Sequence, residues 1–154
     1  MDGSPKTPDA TAPVPLDPVE GAGRPVVLVI DDDQPVRQSM EILLQIYGFE
    51  VLTAQDGDSG IAAYRQHHPD AVITDVMMPV RDGIETIRAL RREFPDAKII
   101  AMSGGGRIGN TDFVSLAVKL GADCGIHKPF EIEEPVELLR GLLTGREGQP
   151  DAAV

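Results

Sequence analysis

The sequence predicts an α/β protein: a five-stranded parallel sheet, doubly wound, with helices on both faces. Three observations carry that reading. Short apolar runs alternate with longer segments of helical period, the pattern of strands joined by crossover helices. The first, third and fourth runs are almost wholly apolar, as strands covered on both faces must be. Polar residues follow four of the five runs, where ligands of open parallel sheets bind.

Val26 to Ile30 reads as the first strand. The helix after it takes its apolar stripe from Val36, Met40, Leu43, Leu44 and Tyr47, and Gly48 stands where a helix commonly ends in a left-handed residue. Glu50 to Ala54 is the second strand, with the look of an edge, and a short helix is predicted from about Ser59 to Gln66. Ala71 to Thr74 is the third strand, followed by a stripe of Ile84, Ile87, Leu90 and Phe94 that Pro95 stops. Lys98 to Met102 is the fourth strand, and Phe113, Leu116, Ala117 and Leu120 form a helical stripe ahead of Gly121. Gly125 to His127 makes a second edge strand, and Ile132, Val136, Leu139, Leu142 and Leu143 line the last helix. Residues 1–24 are rich in Pro, Asp, Thr, Ala and Gly, with too few apolar side chains to offset the entropy of ordering them, so a disordered tail is expected. Residues 145–154 are expected to be a second tail, leaving one domain over 25–144.

At 154 residues and 42% apolar content the chain suffices for one ordinary core. Its net charge of -11, from 25 acidic against 14 basic residues, repels phosphate backbones and anionic headgroups, which argues against nucleic acid and membrane as partners. Cys124 is the sole cysteine, so no internal disulfide can form and a reducing, cytoplasmic setting is expected. No apolar run approaches the roughly 20 residues of a membrane span, and the chain start lacks a basic segment followed by an apolar core.

The residues at the strand ends narrow the function. Asp31 and Asp32 follow the first strand, Asp75 the third, Ser103 the fourth and Lys128 the last. If the first and third strands are neighbours, three acids converge where the winding reverses. Two carboxylates about 4 Å apart repel by roughly 4 kcal/mol at an effective dielectric of 20, so such a cluster needs protonation or a cation. Magnesium suits it, because it binds a few carboxylate oxygens and keeps positions open to phosphate oxygens. Ser103 could donate to one phosphoryl oxygen and Lys128 could supply charge to another. Taken singly each residue has a plainer explanation, as a helix cap, a loop acid or a surface lysine; their joint placement is the signal.

These residues resemble the response-regulator receiver family over about Pro25 to Leu143. The motifs are Val-Leu-Val-Ile-Asp-Asp-Asp-Gln-Pro-Val-Arg from Val27, Asp-Val-Met-Met-Pro-Val-Arg-Asp-Gly from Asp75, Ser103-Gly104, and Lys128-Pro129-Phe130. The resemblance implies a flavodoxin-like sheet in order 2-1-3-4-5, in a stand-alone signalling switch rather than an enzyme acting on other molecules. It makes Asp75 the phosphoacceptor. Asp32 and, through water, Asp31 become ligands of Mg2+ or Mn2+, completed by the backbone carbonyl of Met77. Ser103 with Gly104 forms the phosphate-sensing switch position and Lys128 the phosphate-binding lysine, with Pro79 and Pro129 structural and the Lys128–Pro129 bond cis. The donor is a sensor histidine kinase or a histidine phosphotransfer protein, and with no output domain following, the response is expected to come from binding an unidentified downstream protein, from sequestering phosphate or from passing it along a relay. Whether phosphorylation drives dimerisation is left open.

Two departures stand out. The family usually places an aromatic three residues before the lysine, where this chain has Gly125. The link from Gly104 to Asn110 is longer and richer in glycine than usual, and is expected to be mobile until phosphorylation orders it. Met77 and Gly105 offer no polar side chain to an attacking water, which points to slow self-dephosphorylation. The alternative, a receiver-like interaction module that is never phosphorylated, usually lacks an acid or the lysine, and here all five residues stand. An aspartyl phosphatase would need an Asp-x-Asp nucleophile signature. Gly104 to Thr111 falls one residue short of a phosphate-binding loop, lacking its lysine, and Gly57-Asp58-Ser59-Gly60 opens a helix rather than a nucleophile turn. His67, His68, His127 and Cys124 have no zinc-like spacing.

Overall fold

In a computed structural model, residues 23–77, 83–104, 107–108 and 111–144 are described. The elements run β1 (Val26–Ile30), α1 (Gln34–Ile46), β2 (Glu50–Ala54), α2 (Gly57–His67), β3 (Ala71–Asp75), α3 (Gly83–Glu93), β4 (Ile99–Ser103), β5 (Arg107–Ile108), β6 (Thr111–Asp112), α4 (Phe113–Leu120), β7 (Cys124–His127) and α5 (Glu133–Leu143). Five strands form one parallel sheet in the order β2-β1-β3-β4-β7. Counting only its own members, the sheet is ordered 2-1-3-4-5, as expected.

Successive side chains of a strand point to opposite faces, and the core divides accordingly. Leu28, Ile30, Val72, Ile99 and Ala101 pack with Ile61, Ile87, Leu90 and Ala117 from α2, α3 and α4. Val27, Val29, Ile73, Ile100 and Met102 pack on the other face with Met40, Leu44, Val136 and Leu139 from α1 and α5. All five residues of β3 and all five of β4 are buried, whereas β2 and β7 are partly exposed edges. Each fully buried Val, Leu or Ile contributes about 1.5–3 kcal/mol, so the three inner strands anchor the sheet.

The helix boundaries follow from local chemistry. Asp33 and Asp56 cap α1 and α2, each carboxylate accepting a backbone N–H of the first turn, from Val36 at 3.3 Å and from Ser59 at 2.8 Å. Gly48 has φ 99°, the left-handed conformation expected after α1. The helix at Gly57 is longer than the predicted span, and Gly60 within it lies so close to Ile30 that a Cβ would collide.

Three features depart from the sequence reading. β3 and β4 each extend one residue further, so that Asp75 and Ser103 are the final residues of strands rather than the first of loops. The link between β4 and α4 is not one uninterrupted loop, because Arg107–Ile108 and Thr111–Asp112 pair as a small antiparallel ladder. In α4 the sheet-facing residues are Val114 and Ala117, while Leu120 is 37% exposed. Val114 sits where a side chain at Gly125 would project, and this contact sets the helix's rotation. Of the expected tails, 1–22 and 145–154 lie outside the described residues, as do the acceptor-loop residues Pro79 and Asp82 and, in the link expected to be mobile, 105–106 and 109–110.

Candidate functional site

The winding direction reverses between β1 and β3, which are paired in register with Ile30 opposite Thr74. The next residue of each chain, Asp31 and Asp75, therefore emerges at the same level of the sheet, at the topological switch point. Asp31 is fully buried and Asp75 is 5% exposed; Asp32 faces outward. One carboxylate oxygen from each of Asp31, Asp32 and Asp75 lies within 4.8 Å of the others.

Lys128 enters this cluster from the far side. Its backbone N–H donates to the Ser103 carbonyl at 2.9 Å, extending the β4–β7 pairing, and the peptide to Pro129 is cis. Its ammonium donates to Asp31 Oδ2 at 3.0 Å and stands 3.7 Å from Asp75 Oδ1. The Lys128 side chain is 24% exposed against 1% for Asp31, so the contact is largely screened from water. One ammonium against three carboxylates leaves two negative charges uncompensated, a balance that suits a hard divalent cation. Asp31 is oriented by its surroundings: Oδ1 accepts the Asp33 N–H at 2.9 Å, and its carbonyl accepts from the Arg37 guanidinium at 2.7 Å.

Burial pushes the Asp75 carboxyl up to about 6. Lys128 and the Met77 N–H pull the other way, but the neighbouring charges of Asp31 and Asp32 add to the rise. Ser103, 1% exposed, presents a hydroxyl oxygen that finds no hydrogen-bond partner among the described residues. Leaving such a hydroxyl unpaired costs about 1–3 kcal/mol, so a group that accepts from it is favoured. Gly104 lies against the aliphatic stem of Lys128, where a Cβ would come 3.2 Å from Cδ.

A family model for the response regulator receiver domain matches residues 27–140. This chain belongs to the response regulator receiver family. Over 126 residues the receiver is 36% identical to the transcriptional regulatory protein PrrA of Mycobacterium tuberculosis, covering 82% of this chain and 53% of the relative. It is 39% identical over 128 residues to the response regulator MprA of a Mycobacterium species, covering 81% and 52%. The chain thus spans about half the length of the curated relatives it matches. Among solved structures it is similar to a response regulator receiver domain protein from Clostridium thermocellum, at 30% identity and TM-score 0.73, covering 80% of this chain and 97% of that one. The chemotaxis protein CheY4 of Vibrio cholerae gives 30% identity and TM-score 0.70, covering 79% and 100%.

The receiver's expected site residues Asp31, Asp32, Asp75, Ser103, Gly104 and Lys128 are thus gathered at one end of the sheet, with Met77 two residues beyond the central acid. Sequence reasoning missed Arg37 and the Asp33 amide as supports of Asp31. Both act through a turn geometry that no side-chain pattern announces. The partner of His127 was also not foreseen: Nε2 lies 3.1 Å from Asp112 Oδ1. Cys124 is a packed thiol, its pKa pushed up to about 12 by burial and by the nearby Asp123.

Proposed function

We propose that this receiver takes a phosphoryl group onto Asp75 from a histidine kinase or histidine phosphotransfer protein. The observation that carries the proposal is the convergence on Asp75 of two further acids and Lys128, beside a buried serine hydroxyl with no partner among the described residues. A bond forms from an Asp75 carboxylate oxygen to phosphorus as the bond from phosphorus to the donor's imidazole nitrogen breaks, leaving an acyl phosphate. Lys128 balances charge on the transferred group, and the Ser103 hydroxyl donates to one of its oxygens. Asp31, Asp32 and the Met77 carbonyl would hold Mg2+ or Mn2+, which when bound supplies charge neutralisation at the phosphoryl oxygens.

A groove of about 510 Å3 opens beside Lys128 between α1 and the start of α5, lined by Pro35, Val36, Leu43, Phe130 and Ile132 among others. A donor protein bringing phosphorus to Asp75 would meet this apolar rim. The phosphorylated form then acts by binding another protein in the cytoplasm, its net charge of -11 disfavouring nucleic acid and membrane surfaces.

The test is incubation with acetyl phosphate, with and without magnesium, followed by intact mass and mapping of the modified residue. One phosphoryl increment on Asp75 that requires magnesium is expected; no increment, or one independent of metal, would refute the proposal. A second expectation concerns pH. Protons compete with the cation for Asp75 below about 6, so magnesium affinity should drop towards tenfold per pH unit there. Calorimetric titration at pH 7.5 and at pH 5 checks this, and equal affinities would contradict it.

A further inference from the structure

Both ends of the β4–α4 connection meet the edge strand at His127. At its start, Ser103 is the register partner of His127 and its carbonyl accepts the Lys128 N–H at 2.9 Å. At its end, Asp112 Oδ1 meets His127 Nε2 at 3.1 Å, with the imidazole necessarily the donor to a carboxylate. Between them, Arg107–Ile108 pairs with Thr111–Asp112.

The first turn of α4 has one further hold on β7. Val114 lies directly over Gly125, in the space a side chain there would occupy. No bulky residue stands between helix and strand at this level, so a receiver lacking an aromatic at position 125 needs another means of linking Ser103 to α4.

We propose that the Asp112–His127 hydrogen bond is a latch that keeps the first turn of α4 on β7 in the unphosphorylated protein, and that its release carries occupancy at Asp75 to the α4–β7 face. This rests on the assignment of Asp75 as phosphoacceptor. The Ser103 hydroxyl has no partner among the described residues and turns to a phosphoryl oxygen when one arrives. That movement draws the end of β4 towards β3 and away from its register partner His127, which loosens the imidazole's hold on Asp112. The helix itself survives the change. Asp112 accepts from the Val114 N–H at 3.1 Å and from Ser115 Oγ at 3.0 Å independently of His127, so α4 keeps its cap, while its looser docking on β7 lets its amides open more often. The carboxyl is held below its ordinary pKa by the His127 bond first, then by Ser115 and Val114, as expected of a charged acceptor with three donors.

His127 is 57% and Asp112 25% exposed in the side chain, so the latch is weak. An exposed pair of this kind biases a two-state equilibrium by roughly threefold, enough to tune a switch without locking it.

Hydrogen exchange of the α4 amides in the full chain tests the latch, using wild type, His127→Ala and His127→Gln, each with and without beryllofluoride and magnesium. Binding of the probe is followed by its fluorine resonance. His127→Ala should raise α4 exchange in the untreated protein about threefold, as an exposed pair implies, and shrink the further rise on beryllofluoride binding. His127→Gln, which retains a donor, should restore the wild-type response. Unchanged α4 exchange in His127→Ala, or identical behaviour of the Ala and Gln variants, overturns the latch while leaving Asp75 as acceptor. Failure of beryllofluoride to bind wild type overturns the acceptor assignment, and the latch with it.

Discussion

Asp75→Asn is expected to abolish phosphoryl uptake while making the metal-free protein more stable at neutral pH. Loss of uptake follows from chemistry, since an amide oxygen is a poor nucleophile and would not give an acyl phosphate. The gain in stability follows from linkage. Folding raises the Asp75 carboxyl from its ordinary value of about 4 to about 6, chiefly by burial. Between those values the folded state holds a proton that the unfolded state has released, so wild-type stability falls as pH rises through this window and stays low above it. The full shift corresponds to about 3 kcal/mol, and relaxation and solvent access reduce this to roughly 1–2 kcal/mol. Asparagine has nearly the same shape and no charge, so it removes the loss. Denaturant melts in EDTA should show the variant more stable than wild type at pH 7.5 and nearly equal to it at pH 4. A variant less stable than wild type at pH 7.5 would show that the buried charge is already well compensated.

Gly83→Ala is expected to destabilise the receiver by about 3 kcal/mol or more, the upper range for overpacking. Gly83 opens α3, its N–H donating to the Val76 carbonyl at 3.0 Å. A Cβ there would collide with the Asp75 carbonyl oxygen and lie 2.5 Å from Val76 Cα. These are backbone atoms at the end of a fully buried strand, so neither side can yield cheaply. The need is for space, since φ at this glycine is not positive. Alanine's better helix propensity returns only about 1 kcal/mol, so the clash wins. Because the displaced atoms belong to Asp75 and its neighbour, acetyl phosphate labelling should fall in the fraction that remains folded. An unchanged urea midpoint would show that α3 can slide away without cost.

The parts of this molecule that could be read from sequence are those with strong contrast. β1, β3 and β4 are apolar runs ended by Asp31, Asp75 and Ser103, and the change from buried to polar marks both the strand and its chemistry. α3 alternates apolar and charged residues at helical spacing, so its inward face was legible; in α1 Met40 and Leu44 of the expected stripe are buried, but Leu43 is 36% exposed. α4 was not legible. Its sequence, Phe-Val-Ser-Leu-Ala-Val-Lys-Leu, is apolar nearly all round, and the contact with Gly125 chose among faces that periodicity could not separate. The β5–β6 ladder escaped because two-residue strands have no period. The contact of His127 with Asp112 joins positions 15 apart in the chain, and depends on how α4 is seated.

The seating of Val114 over Gly125 also bears on how this receiver can change. Enlarging residue 125 alone drives a side chain into α4, and trimming residue 114 alone leaves a void against the sheet, so each change costs stability on its own. A bulky ring at this place in β7 therefore needs a smaller residue at 114 in the same molecule.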